Sequence, residues 1–255
     1  MFLILLSPAK SLDFDRKLNC TKSSMPDFIP ESRELINHLL KMKKEEIGNL
    51  MNISQKLTDL NYDRYKSWNE DFNLNNSRHA IYCFTGDVYK GLDVNSFSLE
   101  DLEYSQDHLR ILSGLYGLLR PLDLMKPYRL EMGVKLQTDK GKNLYDFWED
   151  KLTDKLNQNF VDSKNEYLIN LASNEYFDSV NKFRISKKII TPKFLDKKNG
   201  NYKVISFFAK KARGSMASYI IKNKIQTINE LENFKGLEYK FCNERSDEKN
   251  LVFIR

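Results

Sequence analysis

Three cations near a predicted helix start are the residues whose types and spacing most directly suggest chemistry. Lys210, Lys211 and Arg213 lie in the stretch ISFFAKKARGSMASYIIKNK, which spans residues 205–224. The first turn of a helix already presents unpaired backbone N–H groups and a partial positive charge, so cations are mildly costly there unless an anion is bound. The small residues that follow, beginning with Gly214, would let an anion approach closely. The segment therefore predicts an anion site, and the alternative is that these side chains simply extend into water.

A second candidate anion site surrounds Gly114 and Gly117 in the segment HLRILSGLYGLLRPLDLMKPYRLEMG, residues 108–133. We predict a helix up to Leu112 and a short turn between the two glycines, a spacing that resembles the hairpin of a helix-hairpin-helix element. In such an element, glycine amides and nearby cations hold a DNA backbone. Cations and aromatic rings flank the turn: Arg110, Arg120, Lys126, Arg129, Tyr116 and Tyr128. They could bind phosphates and stack on unpaired bases, or the arginines could instead pair with nearby acids at a helix corner.

A polar cleft is predicted at the end of the first strand, where the sequence reads SPAK. Ser7 and Lys10 have the Ser-x-x-Lys spacing of penicillin-binding enzymes, but the Ser-Asp-Asn and Lys-Thr-Gly elements which that chemistry needs do not occur. We interpret the stretch as a strand leading into a turn, with both side chains available to line a cleft. The later stretch FTGDVYKGL lacks Walker and dinucleotide spacing and predicts a turn before a short helix. Tyr89 and Lys90 of that helix are assigned to the same possible cleft.

Neither a metal nor a cofactor is favoured by the sequence. His38, His79 and His108 are scattered along the chain, and no two of the three cysteines have zinc-ligand spacing. An odd number of widely spaced cysteines also argues against a disulfide framework and fits a reducing compartment. We therefore assign no metal, no cofactor and no catalytic residue.

The elements that must position these residues alternate irregularly between strands and helices. Strand-like runs are predicted at residues 2–6, 79–84, 167–171, 188–194, 202–208, 237–241 and 251–254, and a hairpin is predicted at Asn199 and Gly200. Helical patterns cover residues 31–42, 54–68, 98–115 and 146–160, with Ser54 and Ser98 as N-caps. No linker or repeat divides the chain. The expectation is a single compact α+β domain over residues 1–255, with a mixed β-sheet and inserted helices that include the helix-hairpin-helix-like element.

Composition favours an ordered cytoplasmic protein with an anionic partner. The 255 residues are 41% hydrophobic and 30% charged, which is unlike a disordered chain. No apolar run has the length of a membrane helix, and the first residues do not form a secretory signal. The formal net charge is +6, which makes a polyanion such as nucleic acid a reasonable partner.

Six segments between residues 3 and 221 carry a family resemblance: LLSPAKSLDF, GDVYKGL, HLRILSGLYGLLRPLDLMKPYRLEMG, LYDFW, INLASNEYF and VISFFAKKARGSMASYII. Together they resemble the YaaA family of peroxide stress resistance proteins. The resemblance implies a cytoplasmic bacterial protein that limits unincorporated iron during hydrogen peroxide stress and protects DNA and proteins from oxidative damage. It also implies DNA binding through a helix-hairpin-helix element and a positively charged cleft on an unusual α+β fold.

Carried over by position, the resemblance places the DNA hairpin on Gly114 and Gly117. The implied cleft cations are Lys10, Arg110, Arg120, Arg129, Lys210, Lys211 and Arg213. One departure is visible, because this chain has Thr85 before Gly86 where the family often has a lysine. The missing cation reduces the phosphate-binding capacity expected of that loop.

The favoured hypothesis is a monomeric DNA-binding stress protein whose contacts are mainly to phosphate, with a preference for distorted or partly unpaired DNA. The alternative is an enzyme that acts on a phosphorylated or nucleotide substrate in a cleft lined by Ser, Lys and Arg side chains. Direct iron sequestration is a third hypothesis and would need carboxylates gathered from distant positions. An enclosed pocket would favour the enzyme, whereas a broad basic groove would favour DNA.

Overall fold

The computed structural model describes residues 1–15 and 20–255, and most of its strands join one mixed sheet. The strands are β1 (Phe2–Leu6), β2 (Arg78–His79), β3 (Leu109–Ser113), β4 (Gly117–Leu119), β5 (Leu124–Met125), β6 (Tyr167–Leu171), β7 (Lys188–Lys198), β8 (Asn201–Lys203), β9 (Lys240–Phe241) and β10 (Asn250–Ile254). The helices are α1 (Ile29–Leu40), α2 (Lys44–Met51), α3 (Gln55–Ser67), α4 (Ala80–Cys83), α5 (Asp87–Leu92), α6 (Leu99–His108), α7 (Leu144–Trp148), α8 (Lys151–Asp162), α9 (Asn174–Phe177), α10 (Ser206–Asn223) and α11 (Ile228–Glu232).

The large sheet has the order β4-β3-β1-β6-β7-β10-β9, with β8 paired to the far end of β7. Strands β3, β1, β6, β7 and β10 run parallel, whereas β4, β8 and β9 are antiparallel to their neighbours. From β1 the chain builds the sheet outward on one side through β3 and β4, then returns to add β6 and β7 on the other side. The strand order therefore reverses between β1 and β6, which is where open sheets bind ligands beyond the carboxyl ends of their strands.

The core lies around the central parallel strands. All five residues of β1, FLILL, are fully buried, as expected for a strand that is covered on both faces. Helix α10 packs against α5, and it also contacts β1, β6 and β7. No helix in residues 1–15 and 20–255 is both long and apolar enough to cross a membrane.

Much of the predicted architecture is confirmed. The α+β class and the mixed sheet are as expected, and the strands predicted at 2–6, 167–171, 188–194 and 251–254 are present. Asn199 and Gly200 both have positive φ, at 53° and 79°, and form the predicted turn between β7 and β8. Ser98 caps α6 in a capping box with Asp101.

Three of the predicted strands are wrong over most of their length. Within residues 79–84, residues 80–83 form helix α4 after the two-residue strand β2. Within residues 237–241 only Lys240 and Phe241 are strand, and within residues 202–208 only Tyr202 and Lys203 are. The single helix predicted over 146–160 is two helices, because Glu149 at φ 41° separates α7 from α8. Short apolar runs of this kind have similar local preferences for helix and strand, so tertiary packing decides between them.

The segment around Gly114 and Gly117 is a β-hairpin rather than a helix-hairpin-helix element. Helix α6 ends at His108, and β3 and β4 then pair antiparallel on either side of the turn. All of residues 111–119 are buried. A Cβ atom at Gly114 would overlap the Leu130 carbonyl oxygen, so this glycine permits close packing inside the protein. The predicted phosphate-binding role of these glycine amides is therefore wrong, because both glycines are buried inside the hairpin.

Helix α10 begins earlier than predicted. The run 202–208 was expected to be a strand, but Ser206 already starts the helix, and Phe207 and Phe208 are exposed on its first turn. Lys210, Lys211 and Arg213 consequently lie in the second turn and the start of the third. The expectation that they surround the unpaired amides at the helix start is therefore wrong. Phe207 and Phe208 have high strand propensity, but the packing of α10 overrides it.

Candidate functional site

A pocket of about 270 Å³ opens at the point where the strand order reverses, beyond the carboxyl ends of β1 and β6. We call it the carboxyl-edge pocket. It is lined by residues 7–11 and 85–88, Glu131, Leu171, Ser173, Glu175, Tyr176, Lys210 and Arg213. The lining comes from segments far apart in the chain, which the parallel pairing of Leu6 with Leu171 brings to one edge.

Hydroxyl groups form the floor of the pocket. The Ser173 backbone N–H donates to Ser7 Oγ at 2.8 Å, and Ser7 Oγ lies 3.2 Å from Ser173 Oγ. Tyr89 is buried beneath, and its hydroxyl donates to the Ser7 carbonyl oxygen at 3.1 Å. Burial raises the pKa of Tyr89 well above its ordinary value, so this hydroxyl stays protonated and holds the strand end in place.

Two cations of α10 point to the pocket without an acidic partner. Lys210 and Arg213, three residues apart on the helix, both line it. In the described part of the chain neither side chain forms an ion pair or a hydrogen bond with protein. Burial lowers the pKa of the Arg213 guanidinium, and no carboxylate offsets that desolvation. A ligand anion would supply the missing counter-charge.

Acidic groups face these cations across the pocket. Glu131 Oε1 accepts a hydrogen bond from Arg129 Nε at 3.1 Å, and it forms ion pairs with Arg129 Nη2 at 2.9 Å and with Lys10 Nζ at 3.5 Å. Its second oxygen, Oε2, is buried and has no hydrogen-bond partner in residues 1–15 and 20–255. Asp87 and Glu175 also line the pocket, so the lining offers sites for both an anion and a hydrogen-bond donor.

Several sequence-predicted residues meet at this pocket. Ser7, Lys10, Lys210 and Arg213 line it, and Tyr89 supports it from below. Arg129 lies in a small adjoining cavity and is occupied by its pair with Glu131.

Lys90 and Lys211 lie beside the pocket, outside its lining. A Cβ atom at Gly91 would overlap the Lys211 carbonyl oxygen, so the backbones of α5 and α10 touch there. Lys90 is exposed and Lys211 is half-buried. Neither lysine has an ion pair in the part of the chain that the structure describes, so both remain available to an external anion.

The side chains of Arg110 and Arg120 extend away from the carboxyl-edge pocket, although the Arg110 backbone pairs with Leu5 near the carboxyl end of β1. Both line a cavity of about 480 Å³ that also includes Met1, at the amino ends of β1 and β3. Arg110 is buried and donates to Asn159 Oδ1 at 2.7 Å, and burial lowers its pKa to about 10. Arg120 pairs with Asp123 at 3.0 Å. The expected convergence of all the cleft cations is therefore wrong for this pair.

Lys126 is also separate from the pocket. It is buried, and its ammonium group donates to Asn69 Oδ1 at 2.5 Å and lies 5.1 Å from the centre of the Phe72 ring. Tyr116 and Tyr128, expected to stack on bases, are buried against each other with ring centres 5.3 Å apart. These side chains stabilise the core.

Sequence reasoning missed the acidic and hydroxyl part of the site, namely Glu131, Ser173, Glu175 and Tyr176. One available signal was the segment INLASNEYF, whose first residues form the end of strand β6. Because parallel strands end at the same edge, Ser173 after β6 must lie near Ser7 after β1. No comparable signal placed Glu131, which lies outside any helix or strand.

His79 and His108 are buried in the core and hydrogen-bond to backbone carbonyl oxygens. Within the described residues no group of three or more His, Cys, Asp or Glu side chains is arranged to hold a metal ion. His79 donates from Nε2 to the Lys22 carbonyl oxygen at 2.8 Å, and its Nδ1 is buried without a described partner. His108 donates from Nδ1 to the Phe2 carbonyl oxygen at 2.9 Å. Burial lowers the pKa of both side chains.

Stability is therefore expected to fall on mild acidification. Because the folded-state pKa values lie below the unfolded value near 6.5, the unfolded chain binds more protons as the pH drops through that value. We expect the free energy of unfolding to be about 1–2 kcal/mol lower at about pH 5.5 than at about pH 7.5. Urea titrations across this window measure it. The double substitution His79→Gln and His108→Asn keeps a hydrogen-bond donor at each position and should flatten the dependence of unfolding free energy on pH, whereas His38→Gln should not. If both variants showed the same dependence, the two buried histidines would not be its cause.

Comparison with known proteins agrees with the arrangement of these segments. The family model described as peroxide stress protein YaaA matches residues 2–245. The chain is also 51% identical over 253 residues to a UPF0246 protein of Saccharophagus degradans, covering 99% of both chains. The chain therefore belongs to the peroxide stress protein YaaA family, which supports a general role in the peroxide stress response.

Proposed function

We propose that this protein is a cytoplasmic monomer that binds DNA during peroxide stress, limits unincorporated iron, and so protects DNA and proteins from oxidative damage. DNA binding is assigned to the α10 basic cluster, defined as Lys210, Lys211 and Arg213, with Lys10 and Lys90 nearby. The family membership supports the stress role. The observation that carries the binding site is the set of cations on this helix that form no ion pair in the described part of the chain.

Unlike Lys10, Arg120 and Arg129, the α10 basic cluster forms no ion pair within the described residues. Arg120 and Arg129 are committed to carboxylates, and Arg110 is buried. Lysines and arginines that are free of internal partners can neutralise phosphates and release counterions, which supplies most of the affinity of sequence-independent DNA binding.

An exposed aromatic residue supports the preference for partly unpaired DNA. Phe207 lies one turn before Lys210 and Lys211, and 53% of its surface is exposed. An exposed ring beside cations is the usual arrangement for stacking unpaired bases while the backbone is held by charge. Phe207 takes the stacking role first assigned to the two buried tyrosines.

The double substitution Lys210→Ala and Lys211→Ala is expected to weaken DNA binding about tenfold or more. Each lost phosphate contact should also reduce the slope of log affinity against log salt by about one unit. Fluorescence anisotropy with duplex and partly unpaired oligonucleotides at several salt concentrations measures both effects. The partly unpaired DNA should bind more tightly, and Phe207→Ala should remove that advantage.

A matched control removes two lysines elsewhere. Lys56 on α3 and Lys187 before β7 are exposed and lie outside the carboxyl-edge pocket. Their double alanine variant has the same net charge as the test variant and should retain most of the affinity. If the two variants lost DNA affinity equally, net charge alone would explain the effect and the assigned binding surface would be wrong. In cells lacking their own family member, the test variant should fail to lower chelatable iron under peroxide, whereas the control should succeed.

A further inference from the structure

We propose that the carboxyl-edge pocket binds one nucleoside monophosphate unit, with its phosphate on Lys210 and Arg213 and its base donating a hydrogen bond to Glu131. The proposal goes beyond DNA binding by the α10 basic cluster, because it concerns a single nucleotide in a concave site. Free nucleotides and the 5′-phosphorylated end of a strand share this chemistry.

The phosphate half of the site consists of two unpaired cations and neighbouring hydroxyls. Arg213 is partly buried without a counter-ion in the described chain, and Lys210 lies one turn before it. A guanidinium fork can bind two phosphate oxygens at once, and an ammonium group adds a point charge. Ser7 and Ser173 at the pocket floor provide further hydroxyls.

The base half depends on the unused oxygen of Glu131. Oε1 is already occupied by Arg129 and Lys10, whereas the buried Oε2 has no described partner although it belongs to a residue that lines the pocket. A buried acceptor without a donor is costly, so a ligand N–H that the Glu131 carboxylate met by turning toward the pocket would be strongly favoured. Amino groups of adenine, cytosine or guanine are donors of the required kind.

The charge balance and the size favour a small ligand over a long polyanion inside the pocket. The three cations of the lining, Lys10, Lys210 and Arg213, are matched by Asp87, Glu131 and Glu175. A polyanion in the pocket would meet those acids, whereas a nucleotide presents a phosphate to one side and donors to the other. The volume of about 270 Å³ is at the small end of ligand pockets, and the apolar side chains of Val88 and Leu171 line it as well.

The test is calorimetric titration of the full chain with AMP, ribose 5-phosphate and inorganic phosphate. We expect AMP to bind most tightly and inorganic phosphate least, because only AMP engages both halves. Arg213→Ala should weaken AMP about tenfold or more, with Arg213→Lys intermediate, whereas Lys56→Ala should leave it unchanged. Glu131→Gln should reduce the preference for AMP over ribose 5-phosphate.

Each outcome decides the proposal. Three results would overturn it: no AMP binding, equal binding of AMP and inorganic phosphate, or AMP binding that Arg213→Ala does not weaken. The comparison of the three ligands uses the unsubstituted protein, so it remains a test even if Glu131→Gln fails to fold. A 5′-phosphorylated single strand that binds more tightly than its 5′-hydroxyl counterpart identifies a strand end as the source, and equal binding identifies the free nucleotide. If the protein binds DNA but not AMP, only the proposed nucleotide site is wrong. If it binds AMP but not DNA, only the proposed DNA-binding function is wrong.

Discussion

Replacing Gly214 with alanine is expected to lower the free energy of unfolding by about 3 kcal/mol, against the usual direction for a helix. In an unconstrained helix interior the same change would stabilise the protein by about 1 kcal/mol. At this position a Cβ atom would overlap the Val88 carbonyl oxygen and lie 2.7 Å from the Leu92 nitrogen. Because both obstacles are backbone atoms of α5, the two helices must separate. Urea denaturation followed by circular dichroism measures the loss.

The neighbouring substitution Ser215→Ala is the control for Gly214→Ala. It lies on the same helix and should change stability by less than about 0.5 kcal/mol. Separation of α5 from α10 would also move the loop at Gly86 relative to Arg213, so nucleotide binding should weaken even where the variant remains folded. A stable Gly214→Ala variant would mean that the contact between α5 and α10 is not tightly packed.

Replacing Asp196 with alanine is expected to cost about 3–5 kcal/mol. Asp196 is buried near the end of β7, where it accepts from Arg255 Nε at 2.5 Å and from the Tyr239 hydroxyl at 2.9 Å. Its removal leaves both donors without their acceptor. The Arg255 guanidinium also lies 4.2 Å from the centre of the Phe208 ring, so the first turn of α10 should loosen. Thermal and urea denaturation give the loss of stability, and amide hydrogen exchange at residues 209–212, whose N–H groups donate to carbonyl oxygens of the first turn and its cap, reports the loosening.

A surface ion pair provides the comparison for Asp196→Ala. Asp178 pairs with Lys182 at 2.8 Å, and both side chains are about half exposed. Asp178→Ala should cost less than about 1 kcal/mol, because exposed pairs contribute little. Asp196→Asn should be intermediate, since it keeps the shape and one acceptor. If both aspartates proved equally dispensable, the buried network would not be holding the end of β7 to α10.

The parts of the fold that were predictable are those with a strong local signal. A run of consecutive apolar residues such as FLILL has no helical periodicity and is typical of a strand that is buried on both faces of a sheet. Ser98 with Asp101, and Asn199 with Gly200, specify a helix cap and a turn through contacts a few residues apart. Family membership was also predictable, because it depends on residues in order along the chain.

The errors lie where local preference is ambiguous and packing decides. Phe207 and Phe208 have high strand propensity, yet they begin α10 because the rest of that helix fits against α5 and the central strands. Gly114 and Gly117 suit a phosphate-binding turn equally well in sequence. In the fold the first packs on the Leu130 backbone, and the second, at φ 67°, lies against Trp148.

The sequence by itself determined the α+β class, the strands β1, β6, β7 and β10, the family and the types of residue available to bind an anion, but it predicted a helix where β3 lies. Only the tertiary structure decided which of those cations share a site. The Arg110 backbone pairs with Leu5, close to the carboxyl end of β1, but its guanidinium donates to the Gln106 carbonyl oxygen at 2.8 Å and lines the cavity that includes Met1. Lys210, Arg213 and Glu131 line one pocket, whereas the side chains of Arg110 and Arg120 line another cavity. The reason is that distance in space depends on strand pairing, helix packing and side-chain direction, which no local pattern encodes.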